Sequence, residues 1–342
     1  MANATHMRIE VEEIPAATQR LLDNSGPRLA EAGAALRQLQ PVMVATIARG
    51  SSDHAASFLK YAIELVAGVP VASIGPSIMS IYGRELHLER CAAISISQSG
   101  KSPDIVAMTE SARRNGALCL ALTNTADSPL AAASNISVDL AAGVEQSVAA
   151  TKSFVSSVVA GLSILGHWTG DEALLTSLKE LPRVFGRAVT TDWTPFLAAL
   201  KDRNSLYVLG RGPALAIAEE AALKFKETCG IHAEAYSAAE VLHGPARIVE
   251  AGFPILALAS RDAGEAGVAE IADRLARQGA NAYATTGRVS VARQLPFAET
   301  GHAITDALSL IVSFYAFVEM LSRHRGFDPD HPPHLKKITE TL

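Results

Sequence analysis

Short apolar runs alternate with helical stretches along this chain, and each run ends in a small polar corner. Pro41 to Ile47 runs into Arg49-Gly50-Ser51-Ser52, and Asp53 to Ala67 then has helical spacing. Further runs lie at Val71–Ile74, Cys91–Ser97, Ala117–Leu122 and Ile136–Leu140, with a helical stretch at Asp104–Arg114. Runs apolar on both faces, separated by helices, are the pattern of a parallel sheet covered on both sides. The alternation gives way to helix over residues 152–202. It restarts at Ser205–Leu209 with Gly210-Arg211-Gly212, a helix over Ala214–Glu227, and strands near Ile255–Ala259 and Asn281–Thr285. A long helix, Ile304 to Arg323, closes the block.

The corner Ala48-Arg49-Gly50 in the first block answers Gly210-Arg211-Gly212 in the second, which implies a duplication. The expected fold is α/β: two tandem doubly wound domains, each a parallel sheet flanked by helices, with a ligand crevice at the carboxyl ends of its strands. The expected organisation is N-terminal helices over 1–38, broken near Ser25-Gly26-Pro27, then a first α/β domain over 39–170 and connecting helices over 171–203. A second α/β domain follows over 204–325, and a C-terminal tail over 326–342. A length of 342 residues agrees with two domains, at roughly 150 residues each.

A net charge of −5 argues against a nucleic-acid surface, which needs a basic excess. The most apolar stretch, Ser153 to Leu165, is interrupted by serines and falls short of the ~20 residues that span a bilayer. It reads as a buried helix, so neither nucleic acid nor membrane is an expected partner. Three cysteines without metal-ligand spacing fit a reduced, cytoplasmic protein.

The sharpest motif is Ser95-Ile96-Ser97-Gln98-Ser99-Gly100-Lys101-Ser102-Pro103-Asp104. It leaves a strand and opens a helix, with Ser102 suited to the N-cap and Pro103 to the first helical position. Free backbone N–H groups at a helix start, four hydroxyl or amide side chains and Lys101 suit a phosphate monoester. The bland alternative is a serine-rich capped turn. Ser51-Ser52 occupies the equivalent corner of the first strand and supplies a possible second wall. Lys224 and Glu227 share a helix face, which alone reads as a solvent-exposed ion pair. Further on, His232, Glu234, Glu240 and His243 crowd a short segment ending in Gly244-Pro245, and residues of these types do acid–base work near neutral pH. No His-x-x-x-His spacing occurs among them, so no metal is expected. Gly210-Arg211-Gly212 lacks the third glycine of a dinucleotide fingerprint.

Together, Arg49–Ser52, Ser97–Gly100, Glu145 through Ala149-Ala150-Thr151-Lys152, Lys224–Glu227, His232–Tyr236, Leu242–Pro245 and Pro332 to Lys337 resemble the sugar isomerase (SIS) family. Within it they are similar to the isomerase half of glucosamine-6-phosphate synthase and to the type II glucosamine-6-phosphate deaminases. The resemblance implies a homodimer, with its active site near the subunit interface, that interconverts aldose and ketose forms of a hexose 6-phosphate without a cofactor. It assigns Ser52, Ser97, Gln98, Ser99 and Ser102 to the phosphate and sugar, and Val148 and Ala150 to the sugar. Glu227 becomes the C1–C2 proton shuttle, His243 the ring opener reaching across the interface, and Lys224 the support for the enediol charge. Lys337 falls on a closing tail, where the synthase lysine can form a Schiff base with the open-chain sugar. The chain departs from the synthase at Ala150, where the synthase has a serine, at Arg49 in place of a cysteine, and at Lys101 in place of an acid.

The SIS pattern begins within the first fifty residues and leaves no room for a glutaminase domain. The expected reaction is therefore deamination and isomerisation of glucosamine 6-phosphate to fructose 6-phosphate and ammonia. The alternatives are a synthase-like isomerase using free ammonia, a deglycase or deaminase of another amino-sugar phosphate, and a phosphosugar sensor without turnover.

Overall fold

The computed structural model describes residues 4–337. The chain opens with α1 (His6–Leu39), a single helix of 34 residues. This corrects the expected break at Ser25-Gly26-Pro27. One buried stripe runs through Val11, Ile14, Leu21, Ser25, Leu29, Ala32 and Leu36, while Pro15 and Pro27 lie off it. Ser25 Oγ donates to the Asp139 carbonyl at 2.7 Å, so the suspected break point is itself anchored. Packing along the stripe outweighs the one hydrogen bond that each proline removes.

The first alternating block comprises β1 (Met43–Ile47), α2 (Ser51–Val66), β2 (Val71–Ser73), α3 (Ser77–Ser80), β3 (Cys91–Ile96) and α4 (Pro103–Arg114). It ends with β4 (Leu118–Thr123), α5 (Pro129–Ala133) and β5 (Ile136–Asp139). Three helices follow: α6 (Lys152–Thr169), α7 (Glu172–Ala188) and α8 (Thr194–Leu200). The second block comprises β6 (Ser205–Gly210), α9 (Pro213–Cys229), β7 (His232–Ser237), β8 (Pro254–Ala257), α10 (Glu265–Arg277), β9 (Asn281–Ala284), β10 (Arg293–Gln294) and α11 (Ala303–His324). Strands β7 and β10 were not anticipated. β7 carries the His232–Tyr236 cluster, whose polar residues mask its strand character.

The chain divides into two compact units. One comprises residues 16–145 and 152–182 with Lys336 and Lys337; the other comprises residues 4–15, 146–151 and 183–335. The first holds a parallel sheet in the order β2-β1-β3-β4-β5, the second one in the order β7-β6-β8-β9-β10. Strand for strand these are the same topology. Gly50 and Gly212 cap α2 and α9 with φ/ψ of 56°/−134° and 57°/−135°. The two halves are thus repeats down to the conformation of one corner residue.

In the first unit Ala45, Ile47, Ala93, Met108 and Cys119 build part of the core, and α6 is buried almost throughout. In the second, Tyr207, Leu209, Ile255, Ala257 and Leu275 do the same. Among the described residues α11 alone is long and apolar enough to cross a membrane, and it is a mostly buried core helix.

Helices α2 and α6 meet at Gly161, where an added Cβ would lie 2.3 Å from Cδ1 of the fully buried Leu59. By helix propensity alone Gly161→Ala would stabilise by ~1 kcal/mol. Overpacking predicts instead a net loss of about 1–3 kcal/mol, read as a lower urea midpoint.

Candidate active site

The crevice of the first sheet lies where the strand order reverses, between β1 and β3. The chain leaves β3 through Ser97-Gln98-Ser99-Gly100-Lys101-Ser102. Gly100 turns it at φ +63°, where a Cβ would lie 2.2 Å from Ser128 Oγ, so only glycine fits. Ser97 Oγ accepts the Gly100 N–H at 3.2 Å, and Ser99 Oγ accepts the Lys101 N–H at 3.3 Å. Each hydroxyl so oriented retains a proton to donate to a ligand oxygen. Ser102 is the N-cap of α4 but makes no capping hydrogen bond. With Ser52 and Gln98 these serines line a cavity of about 320 Å³, together with Arg49, Gly50 and Lys337. The five residues that the resemblance assigns to the phosphate and sugar therefore line one cavity, and Lys337 is with them, whereas Lys101 is exposed and stands outside that lining.

The helix start itself offers less than expected. Pro103 has no N–H, and the Ile105 N–H is bound by Asp104 Oδ1 at 2.9 Å. Side chains must supply more of an anion's partners here. Two cations do line the pocket, each on a carboxylate with no solvent exposure: Arg49 pairs with Asp104, and Lys337 Nζ lies 3.2 Å from Glu145 Oε2. The roles of Asp104 and Glu145 were not read from the sequence. A lone acid next to a helix start looks like an ordinary first-turn aspartate, and Glu145 is distant in sequence from its partner.

In the second sheet the equivalent corner is finished differently. Before α10, Asp262 Oδ1 accepts the Gly264 N–H at 2.7 Å. The chain thus places its own carboxylate where the first repeat opens its serine pocket.

On α9 the Lys224–Glu227 pair is not the exposed ion pair that its spacing alone suggests. Lys224 is fully buried, with Nζ 2.6 Å from Glu227 Oε2 and 3.2 Å from Glu220 Oε1. Tyr315 donates to Glu220 at 2.9 Å. Burial by itself would push the Lys224 pKa down, but the two carboxylates more than offset this and lift it above the ordinary lysine value. Lys224 is thus a permanent cation. Glu227 keeps a fifth of its side-chain surface exposed, so it can meet a ligand while held at one oxygen. A cavity of about 480 Å³ opens beside it, walled by Leu223, Phe327, Pro332, Pro333 and Leu335.

Val148 and Ala150 are half-buried in the segment 146–151, which is tethered by Glu10 Oε1 accepting the Gln146 and Ser147 N–H groups. His243 is exposed at the end of the short turn Glu240–Leu242, and its ring makes no hydrogen bond or ion pair among the described residues. Among the described residues no hydrogen bond or ion pair joins it to Lys224 and Glu227. Burial raises the thiols of Cys119 and Cys229 to about 12, which leaves them inert as nucleophiles. Among the described residues no three potential metal ligands cluster.

The SIS domain model matches residues 42–165 and again 199–321. The chain belongs to the SIS-domain family. Glutamine–fructose-6-phosphate aminotransferase (isomerizing) of Pyrobaculum aerophilum is 32% identical over 331 residues, covering 87% of this chain and 54% of that enzyme. The chain thus spans about half the length of the curated relatives it matches. A Silicibacter pomeroyi structure, provisionally described as a phosphosugar isomerase, is 56% identical with a TM-score of 0.93, covering 96% of this chain and 100% of that one. The C-terminal domain of glucosamine-fructose-6-phosphate aminotransferase from Francisella tularensis is 25% identical with a TM-score of 0.82, covering 97% of this chain and 99% of that domain. The two SIS repeats are related to the phosphosugar isomerases and to the isomerase part of the aminotransferases.

Removing the buried cation of α9 strands Glu220 without its ion partner. Lys224→Met is expected to destabilise the protein by about 3–5 kcal/mol, measured by chemical denaturation. Lys224→Met combined with Glu220→Gln should recover part of that loss.

Proposed function

We propose that this protein deaminates and isomerises glucosamine 6-phosphate, giving fructose 6-phosphate and ammonia. The observation that carries the reading is the serine pocket at the switch point of the first SIS repeat, with Arg49 and Lys337 in its wall. It has the hydroxyl donors and positive charge that a phosphate monoester needs. Phosphate binding supplies remote binding energy that positions the reacting carbons.

The remaining roles are assigned by the family resemblance. His243, contributed by the partner chain of a homodimer, opens the ring. The C1 aldehyde acidifies the C2 proton, so no cofactor is required. Glu227 takes that proton, leaving an enolamine, and returns it to C1 to give the ketimine at C2. Water adds to C2 and ammonia leaves, which balances glucosamine 6-phosphate and water against fructose 6-phosphate and ammonia. Lys224 offsets the charge that develops on the enediol-like intermediate. Val148 and Ala150 contact the sugar, and Lys337 acts from the tail. Three buried cysteines with free thiols support a reducing, cytoplasmic setting.

The test is ammonia release and ketose formation over a panel of amino-sugar and sugar 6-phosphates. Glu227→Gln should abolish turnover and retain phosphosugar binding. Near-normal turnover in that variant would remove Glu227 as the base. Mixing Glu227→Gln with His243→Ala, each inactive alone, should restore activity through mixed dimers, whereas no recovery would place His243 within its own chain's site. Binding without ammonia or ketose across the panel would mark a sensor. Ammonia uptake with fructose 6-phosphate and no measurable release would favour the synthetic direction.

A further inference from the structure

The wall of the serine pocket contains an ion pair with one end in the core and the other in the cavity. Arg49 donates from Nε and pairs through Nη2, both to Oδ2 of Asp104. Asp104 Oδ1 is bound by the Ile105 N–H, so both carboxylate oxygens are used within the protein. The guanidinium is held by two of its three nitrogens, and Nη1 has no protein partner among the described residues. The Asp104 side chain has no exposure while the Arg49 side chain keeps 42%. A surface ion pair would leave both groups in water and loosely held. Here the anion is sealed in and only the cation is presented.

Charge at the mouth of α4 gives this arrangement a purpose. The helix begins with Pro103, which offers no N–H, and its first turn carries the Asp104 carboxylate. Left alone, that carboxylate would repel a phosphate at the serine loop. Arg49 neutralises it and turns the remaining positive face toward the cavity shared with Ser97, Ser99 and Ser102. A planar guanidinium fixed at two nitrogens also loses little freedom on binding an oxyanion.

We propose that Arg49, fixed by the buried Asp104, is the cationic contact to the phosphate of the substrate. This rests on the reading that the serine pocket holds the phosphate of a sugar phosphate. Calorimetric titration with glucosamine 6-phosphate, fructose 6-phosphate, inorganic phosphate and unphosphorylated glucosamine tests it. Arg49→Gln should weaken the three phosphate ligands at least about tenfold, the order of one charge-assisted hydrogen bond. Glucosamine should bind it and the wild type alike. Because Arg49→Gln leaves a buried carboxylate without its partner, the variant carrying both Arg49→Gln and Asp104→Asn removes the two charges together. It should fold and still lose at least about tenfold in affinity, the cost of the missing cation, without the added repulsion of the bare carboxylate in Arg49→Gln alone.

Wild-type affinity for the hexose 6-phosphates in that double variant would overturn the role of Arg49. If Ser99→Ala with Ser102→Ala cuts binding while the charge-free pair does not, the pocket stands and Arg49 alone is overturned. A wild-type protein that binds no hexose 6-phosphate would overturn the functional reading, and this inference with it.

Discussion

A parallel strand that enters a helix through a tight corner leaves the start of that helix at the carboxyl edge of the sheet, with backbone N–H groups that the helix cannot satisfy. This constraint recurs in both repeats, at Gly50 and Gly212, in the same backbone conformation. The sheet order β2-β1-β3-β4-β5 then opens a crevice beside the first such corner, and the order of the second sheet repeats it. What differs is how each edge is finished. Serines and two held cations line the first, whereas Asp262 fills the corresponding helix start of the second. The duplicated fold thus leaves a serine-lined cavity in one copy and, at the equivalent helix start of the other, turns its own carboxylate onto the Gly264 N–H.

The same device for placing charge appears three times: a buried carboxylate fixes a cation. Asp104 holds Arg49, Glu145 holds Lys337 and Glu220 holds Lys224. Burying a carboxylate is costly, and an ion pair seldom returns more stability than apolar packing would. The gain lies in geometry. A long, flexible lysine or arginine is confined to one position, where it can meet an anion or a developing negative charge without further ordering.

Much of the strand pattern was legible because parallel strands are apolar on both faces. The runs ending at Ile47, Ser97 and Leu209 stand out for that reason. Strand β7 did not, since His232, Glu234 and Tyr236 give it a polar reading that edge position permits. The break foreseen at Ser25-Gly26-Pro27 failed because local punctuation was weighed without the buried stripe on which α1 lies. In the site, the serine loop was readable as four polar side chains within one corner. Arg49 stood in a recognised motif, but its chemistry depends on Asp104, 55 residues away in sequence.

By itself the sequence determined the α/β alternation, the duplication, the serine loop and the helical spacing of Lys224 with Glu227, because each is a local pattern. Tertiary structure decided which of those groups are buried and which are open. It turned the Lys224–Glu227 pair from a surface ion pair into a buried network by adding Glu220 and Tyr315, and it brought Lys337 to the serine pocket. The reason is physical: burial and pairing depend on what the fold places alongside a residue, and residues far apart in the chain become neighbours only when it closes.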